Sequence, residues 1–93
     1  MTQRATAVVS IRNRLGMHAR PAMAFVDLAS RFHSDIVVQR TDNPEPVDGK
    51  SIMQVMMLAA TQGTELEIIA QGDDGDDACR QLKELIERGF DED

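Results

Sequence analysis

The chain has 93 residues, a formal net charge of -6 and 42% hydrophobic residues, which describes one globular domain spanning 1–93 with a modest core and rules out a disordered chain. The acidic balance argues against a nucleic-acid backbone as partner. A single cysteine, Cys79, excludes an internal disulfide framework. The chain opens without an apolar leader and has no long apolar run, so a cytoplasmic location with no membrane insertion is expected.

Thr6 to Ile11 alternates Thr6, Val8 and Ser10 with Ala7, Val9 and Ile11, which predicts a strand even though Val8 breaks the polar side of the pattern. Leu15-Gly16 then predicts a turn. From Ala19 to Phe32, Ala22, Phe25, Val26, Ala29 and Phe32 recur at helical spacing, with Pro21 tolerated in the first turn. Ile36 to Val38 is a second expected strand, and Thr41 to Pro46 is a turn carrying two prolines. Val47 and its neighbours suit a short edge strand before Gly49.

Ser51 to Ala60 predicts a second helix with Ser51 as its N-cap. Its apolar residues run nearly all round: Val55, Leu58 and Ala59 fall at core spacing, leaving Ile52, Met53 and Met56 to the surface. Thr64 to Ala70 is a further strand. Asp76 to Arg88 is a helix, acidic at its start, with Ala78, Cys79, Leu82, Leu85 and Ile86 inward. Cys79 reads as a small buried hydrophobe, and the Asp91-Glu92-Asp93 end as a frayed, solubilising tail.

The order β-α-β-β-α-β-α implies a two-layer α+β domain with a four-stranded antiparallel sheet and three helices on one face. Thr6, Ser10, Gln39, Glu65 and Glu67 are the candidates for the open face. Charge is unevenly spread. Arg4, Arg12, Arg14, Arg20 and Arg31 lie in the first third, where Asp27 is the only acid, while acids crowd the last third. A local anionic ligand or an acidic partner surface would explain the basic end; so would a solvated surface.

The stretch Gly16-Met17-His18-Ala19-Arg20-Pro21 places a histidine where a glycine turn meets a proline-containing first helical turn. Backbone N–H groups of Ala19 and Arg20 are open there to whatever His18 carries, and the Arg20 guanidinium stands two residues on. An imidazole nucleophile, a positive helix end and an arginine suit a phosphoryl acceptor, because phosphoryl transfer needs chiefly positioning and charge stabilisation. A capping or packing histidine would occupy the same position.

Gly16-Met17-His18-Ala19-Arg20-Pro21-Ala22, then Gly49-Lys50-Ser51-Ile52-Met53, then Thr61-Gln62-Gly63-Thr64, resemble HPr, the histidine-containing phosphocarrier family of the phosphoenolpyruvate-dependent phosphotransferase system. The resemblance covers nearly the whole chain in order. It implies an open-faced β-sandwich. It further implies that His18 accepts phosphate at Nδ1 from Enzyme I and donates it to the A-type Enzyme II components of a sugar phosphotransferase system, with Arg20 contacting the phosphoryl group. Ser51 matches the serine phosphorylated by HPr kinase/phosphorylase. The 41–46 loop looks longer and richer in proline than in common members, and Gln54 stands where many kinase-regulated members have glycine.

Met17, Ile52, Met53 and Met56 are expected to form a docking patch, since exposed methionines adapt to several partners; filling an irregular core is the other reading of them. A monomer is expected. Two functions remain open: a carrier whose His18 turns over, or a regulatory paralogue of nitrogen-type or carbon-catabolite signalling read through Ser51. A free-standing enzyme is disfavoured, as neither a catalytic base nor a cofactor motif is visible. His33 reads as structural or solvated, and a metal site pairing it with His18 has no ligand spacing to support it.

Overall fold

The computed structural model describes residues 3–92. Strands β1 (Arg4–Ser10), β2 (Asp35–Arg40), β3 (Val47–Asp48) and β4 (Glu65–Gln71) form one sheet in the order β1-β4-β2-β3. Every neighbouring pair is antiparallel. Helices α1 (Ala19–Ala29), α2 (Ile52–Met56) and α3 (Gly75–Glu87) cover one face. The expected α+β, open-faced architecture is therefore the one observed.

The period-two pattern of the strands decides which face each side chain takes. Val9, Ile36, Val38, Leu66, Ile68 and Ala70 point into the core. All five residues expected on the open face share the opposite parity, and there Gln39 donates to its cross-strand partner Glu67 at 2.8 Å. Val8 is an exposed apolar residue on that same face. The facing helices supply Ala22, Phe25, Val26 and Ala29 from α1 and Ala78, Cys79, Leu82, Leu85 and Ile86 from α3. Burial pushes the Cys79 thiol up from its usual range, so it packs as a small apolar group.

The second helix is shorter than its sequence pattern predicts, ending at Met56 rather than Ala60. Leu58 and Ala59 continue in tight turns, and Ala59 takes a left-handed φ of 50°. The Arg40 guanidinium donates to the carbonyls of Leu58 at 3.1 Å and Ala59 at 3.2 Å, satisfying unpaired carbonyls at the helix end. This turn overturns the expectation of Ala59 in the core. Ala59 faces solvent, whereas Ala60 is buried, and its carbonyl is aimed at the loop before α1. The end of α1 is held in a related way, with Lys50 Nζ donating to the Phe32 carbonyl at 2.8 Å.

A second junction joins the start of β2 to the start of α3. Asp74, the N-cap residue of α3, accepts from the backbone N–H of His33 at 2.7 Å and of Ser34 at 2.9 Å, and from the buried Ser34 hydroxyl. The Ser34 hydroxyl bond, followed by the His33 amide, draws the Asp74 carboxyl down to about 2. His33 itself is exposed, and its amide rather than its ring makes the structural contact.

Candidate functional site

Residues 11–18 link β1 to α1 and form the loop on which His18 stands. The 61–64 turn is its frame. Ile11 N–H donates to the Thr64 carbonyl and Gly63 N–H to the Ile11 carbonyl, each at 2.9 Å. Gln62 Nε2 donates to the Arg12 carbonyl at 3.0 Å, and Met17 N–H donates to Ala60 at 2.8 Å. The chain passes so close at Gly16, with φ of 70°, that a Cβ there would lie 2.4 Å from the Ala60 carbonyl oxygen. Only glycine fits.

His18 is the N-cap residue of α1, in extended conformation, and its carbonyl accepts the first helical bond from Ala22 N–H at 3.0 Å. The His18 side chain makes no capping hydrogen bond to this helix start. Pro21 has no N–H, so Ala19 and Arg20 hold the two open amides of the first turn. Together with Arg14, Leu15 and Glu92, residues His18, Ala19 and Arg20 line a shallow, open depression. Arg14 and Arg20 are thus the arginines of the basic end that reach the site. Arg4 lies elsewhere, beside Gln3, Gly72 and Asp76.

The tail corrects the sequence reading. Asp93 lies outside the described residues, but Asp91 and Glu92 are not a frayed end. A short 3-10 turn, Gly89–Asp91, brings the chain back, and Glu92 Oε1 lies 2.9 Å from Nε2 of His18. The same oxygen accepts Asn13 Nδ2 at 3.0 Å. The bond to His18, reinforced by that of Asn13 and by the positive field of Arg20, holds the Glu92 carboxyl below the usual carboxylate range. Asn13 is buried and also donates to the Gly16 carbonyl at 2.7 Å, while its Oδ1 has no partner among the described residues.

Met17 is a second correction. Its side chain is 5% exposed and packs in the core, so it offers no docking surface; the short bond of its amide to Ala60 draws it inward. Ile52, Met53 and Met56 are exposed as expected, Met53 at 80%, and Leu15, Met23 and Met57 join them as exposed apolar residues. Ser51 does cap α2, accepting from Gln54 N–H at 3.3 Å. Gln54 in turn accepts Asp48 N–H on its side-chain oxygen at 2.9 Å, tying the cap to β3. A separate depression between the 41–47 loop and the end of α2 contains Arg40, already paired with Asp42. Among the described residues no three metal-binding side chains converge, and no helix is long and apolar enough to cross a membrane.

Residues 5–88 match the family described as the PTS HPr component phosphorylation site. The chain belongs to the HPr family of phosphocarrier proteins. Phosphocarrier protein HPr of Pseudomonas aeruginosa is 51% identical over 85 residues, covering 90% of this chain and 92% of that protein. Phosphocarrier protein NPr of Proteus mirabilis is 41% identical, over 91% of this chain and 93% of that one. The crystal structure of HPr-C-His from Thermoanaerobacter tengcongensis superposes with a TM-score of 0.88 at 40% identity, covering 96% of this chain and 98% of that one. As an HPr-family phosphocarrier of the phosphotransferase system, the chain has the fold that the three motifs imply.

Sequence reasoning missed Asn13 and Glu92. Asn13 had a local signal, an amide in a short loop ahead of a required glycine. Glu92 had none, because one acid in an acidic tail looks like any other.

Proposed function

We propose that His18 carries the phosphoryl group, accepting it at Nδ1 from Enzyme I and passing it to Enzyme II A-type components. The observation that carries this reading is the uncapped start of α1, where the Ala19 and Arg20 amides stand open beside an imidazole whose Nε2 is already engaged by Glu92. Two N–H donors and the positive end of the helix suit the developing phosphoryl charge. Arg20 adds a planar fork of donors on the rim of the same depression. The shallow site suits a carrier, since a phosphoryl group held there remains open to a second protein.

Regulation is assigned to Ser51, at the cap of α2 and next to the exposed Ile52, Met53 and Met56. A module read through Ser51 alone would leave the nucleophile and its open amides without a use, which favours the carrier over the purely regulatory paralogue. The test is incubation with phosphoenolpyruvate and Enzyme I. One acid-labile, alkali-stable phosphate should appear on the wild type and none on His18→Ala. Label retained by His18→Ala would assign the acceptor elsewhere.

A further inference from the structure

Methionine is ordinarily a residue of the interior, yet among the described residues Met53 is 80% exposed and Met57 74%, with Met23 and Met56 also in solvent and Met17 alone in the core. Three of the exposed four belong to α2 and its C-cap. Positions 53, 56 and 57 are spaced i, i+3 and i+4, which gathers their side chains on one side of the helix. Val55 and Leu58 hold the buried side.

The rest of the chain offers a two-electron oxidant little else. It has no Trp and no Tyr. Its single thiol, Cys79, is buried, and burial keeps it in the protonated, unreactive form. A thioether sulfur carries its lone pairs at every pH, so its exposure governs its oxidation. We propose that Met53, Met56 and Met57 form a reversible oxidation site for peroxide-class oxidants, and that sulfoxide formation there weakens docking on the α2 face. The docking half rests on Enzyme I as the phosphoryl donor; the place of oxidation does not.

In the forward step a sulfur lone pair attacks one peroxide oxygen. The S–O bond forms and the O–O bond breaks. The attacked oxygen gives its proton to the departing one, which leaves as water. Sulfur loses two electrons and the peroxide gains them. A dithiol reductant of the methionine sulfoxide reductase class reverses the change: two electrons and two protons restore the thioether, the oxygen leaves as water, and the dithiol becomes a disulfide. Because these side chains are exposed, a polar oxygen on them disturbs neither Val55 nor the Ser51 cap. It does alter what a partner meets, since an adaptable apolar surface becomes one whose strong acceptors must be desolvated.

Peptide mass spectrometry after treatment with hydrogen peroxide reads the order of oxidation. Met53 and Met57 should react first, Met56 and Met23 next and Met17 last, with the native circular dichroism retained. Affinity for Enzyme I is then measured by calorimetry, each protein against its own untreated form. The wild-type Kd should rise on the order of tenfold, as when a polar group is buried without a full partner, and return after methionine sulfoxide reductase. A Met53→Leu/Met56→Leu/Met57→Leu variant keeps Met17 and Met23 and should show no peroxide-dependent loss. Four results overturn the proposal: Met17 oxidised ahead of the α2 methionines, a lost native spectrum, an unchanged wild-type affinity once the sulfoxides have formed, or an equal loss in the leucine variant. A wild type that binds Enzyme I but takes no phosphate on His18 sinks the carrier reading instead, and the peroxide-dependent change in affinity still decides the role of the methionines.

Discussion

Arg20 shows how much one exposed side chain can be asked to do. It lies on the rim of the His18 depression and contributes to the field that keeps Glu92 ionised. Its role on the phosphoryl group would depend on a planar fork that can pair with two oxygens, which an ammonium cannot reproduce. Arg20→Lys should therefore slow transfer by about tenfold, the loss expected for one charge-assisted hydrogen bond of roughly 1.5 kcal/mol. Since Arg20 is exposed, the circular dichroism and melting curve should be those of the wild type. Rapid-quench transfer kinetics indistinguishable from wild type in both Arg20→Lys and Arg20→Ala would remove the side chain from the mechanism.

At the scale of elements, α2 is the weak member. Five residues are too few to hold a helix by propensity alone, so it depends on its ends: Ser51 at one, Arg40 at the other, with Val55 and Leu58 anchoring the buried side. Ser51→Ala should cost about 1 kcal/mol in a urea titration, the usual loss for a removed N-cap. Ser51→Asp should recover most of that, because aspartate also caps and its charge suits the helix start. The surface tells the two changes apart. A charge beside Ile52, Met53 and Met56 must be accommodated by any apolar partner, so Ser51→Asp should weaken apparent affinity for Enzyme I while Ser51→Ala leaves it intact. Phosphorylation, adding about -1.5 to -2 charge, should weaken it further. Equal affinities in all forms would leave Ser51 a helix cap only.

Over the whole molecule, the acid response should be governed in part by the Asp74 junction that binds the β2 start to α3. Its carboxyl titrates at about 2 in the folded chain against an ordinary 3.8. A depressed carboxyl contributes stability that is complete above the unfolded value and disappears as pH falls through the folded one. The wild type should therefore lose stability between about pH 4 and pH 2, as the unfolded chain takes up protons first. Asp74→Asn should be less stable at neutral pH and show a shallower loss over the same range. Urea midpoints measured against pH for both proteins check this, and parallel curves would place the acid sensitivity elsewhere. Glu92 shifts in the same direction, so the His18 contact should loosen in acid as well.

Local information made most of this protein legible before any fold was drawn. The strands show a period of two, α1 and α3 a period close to four, and His18, Arg20 and Pro21 sit together because a helix start is built from consecutive residues. Ser51 declared itself as a cap for the same reason. What the sequence could not determine were contacts between distant segments. Ala60 is buried and Ala59 is not because Arg40 and a left-handed turn end α2 early, against a helical pattern that continues past it. Met17 belongs to the core rather than the surface because its amide is drawn to that same turn. Glu92 lies 74 residues from His18 along the chain, and no periodicity or spacing connects them. Only the antiparallel sheet, the packing of α3 on it and the burial of Phe90 carry that carboxylate to the imidazole, because a contact of that kind is decided by where whole elements pack and not by the residues on either side of it.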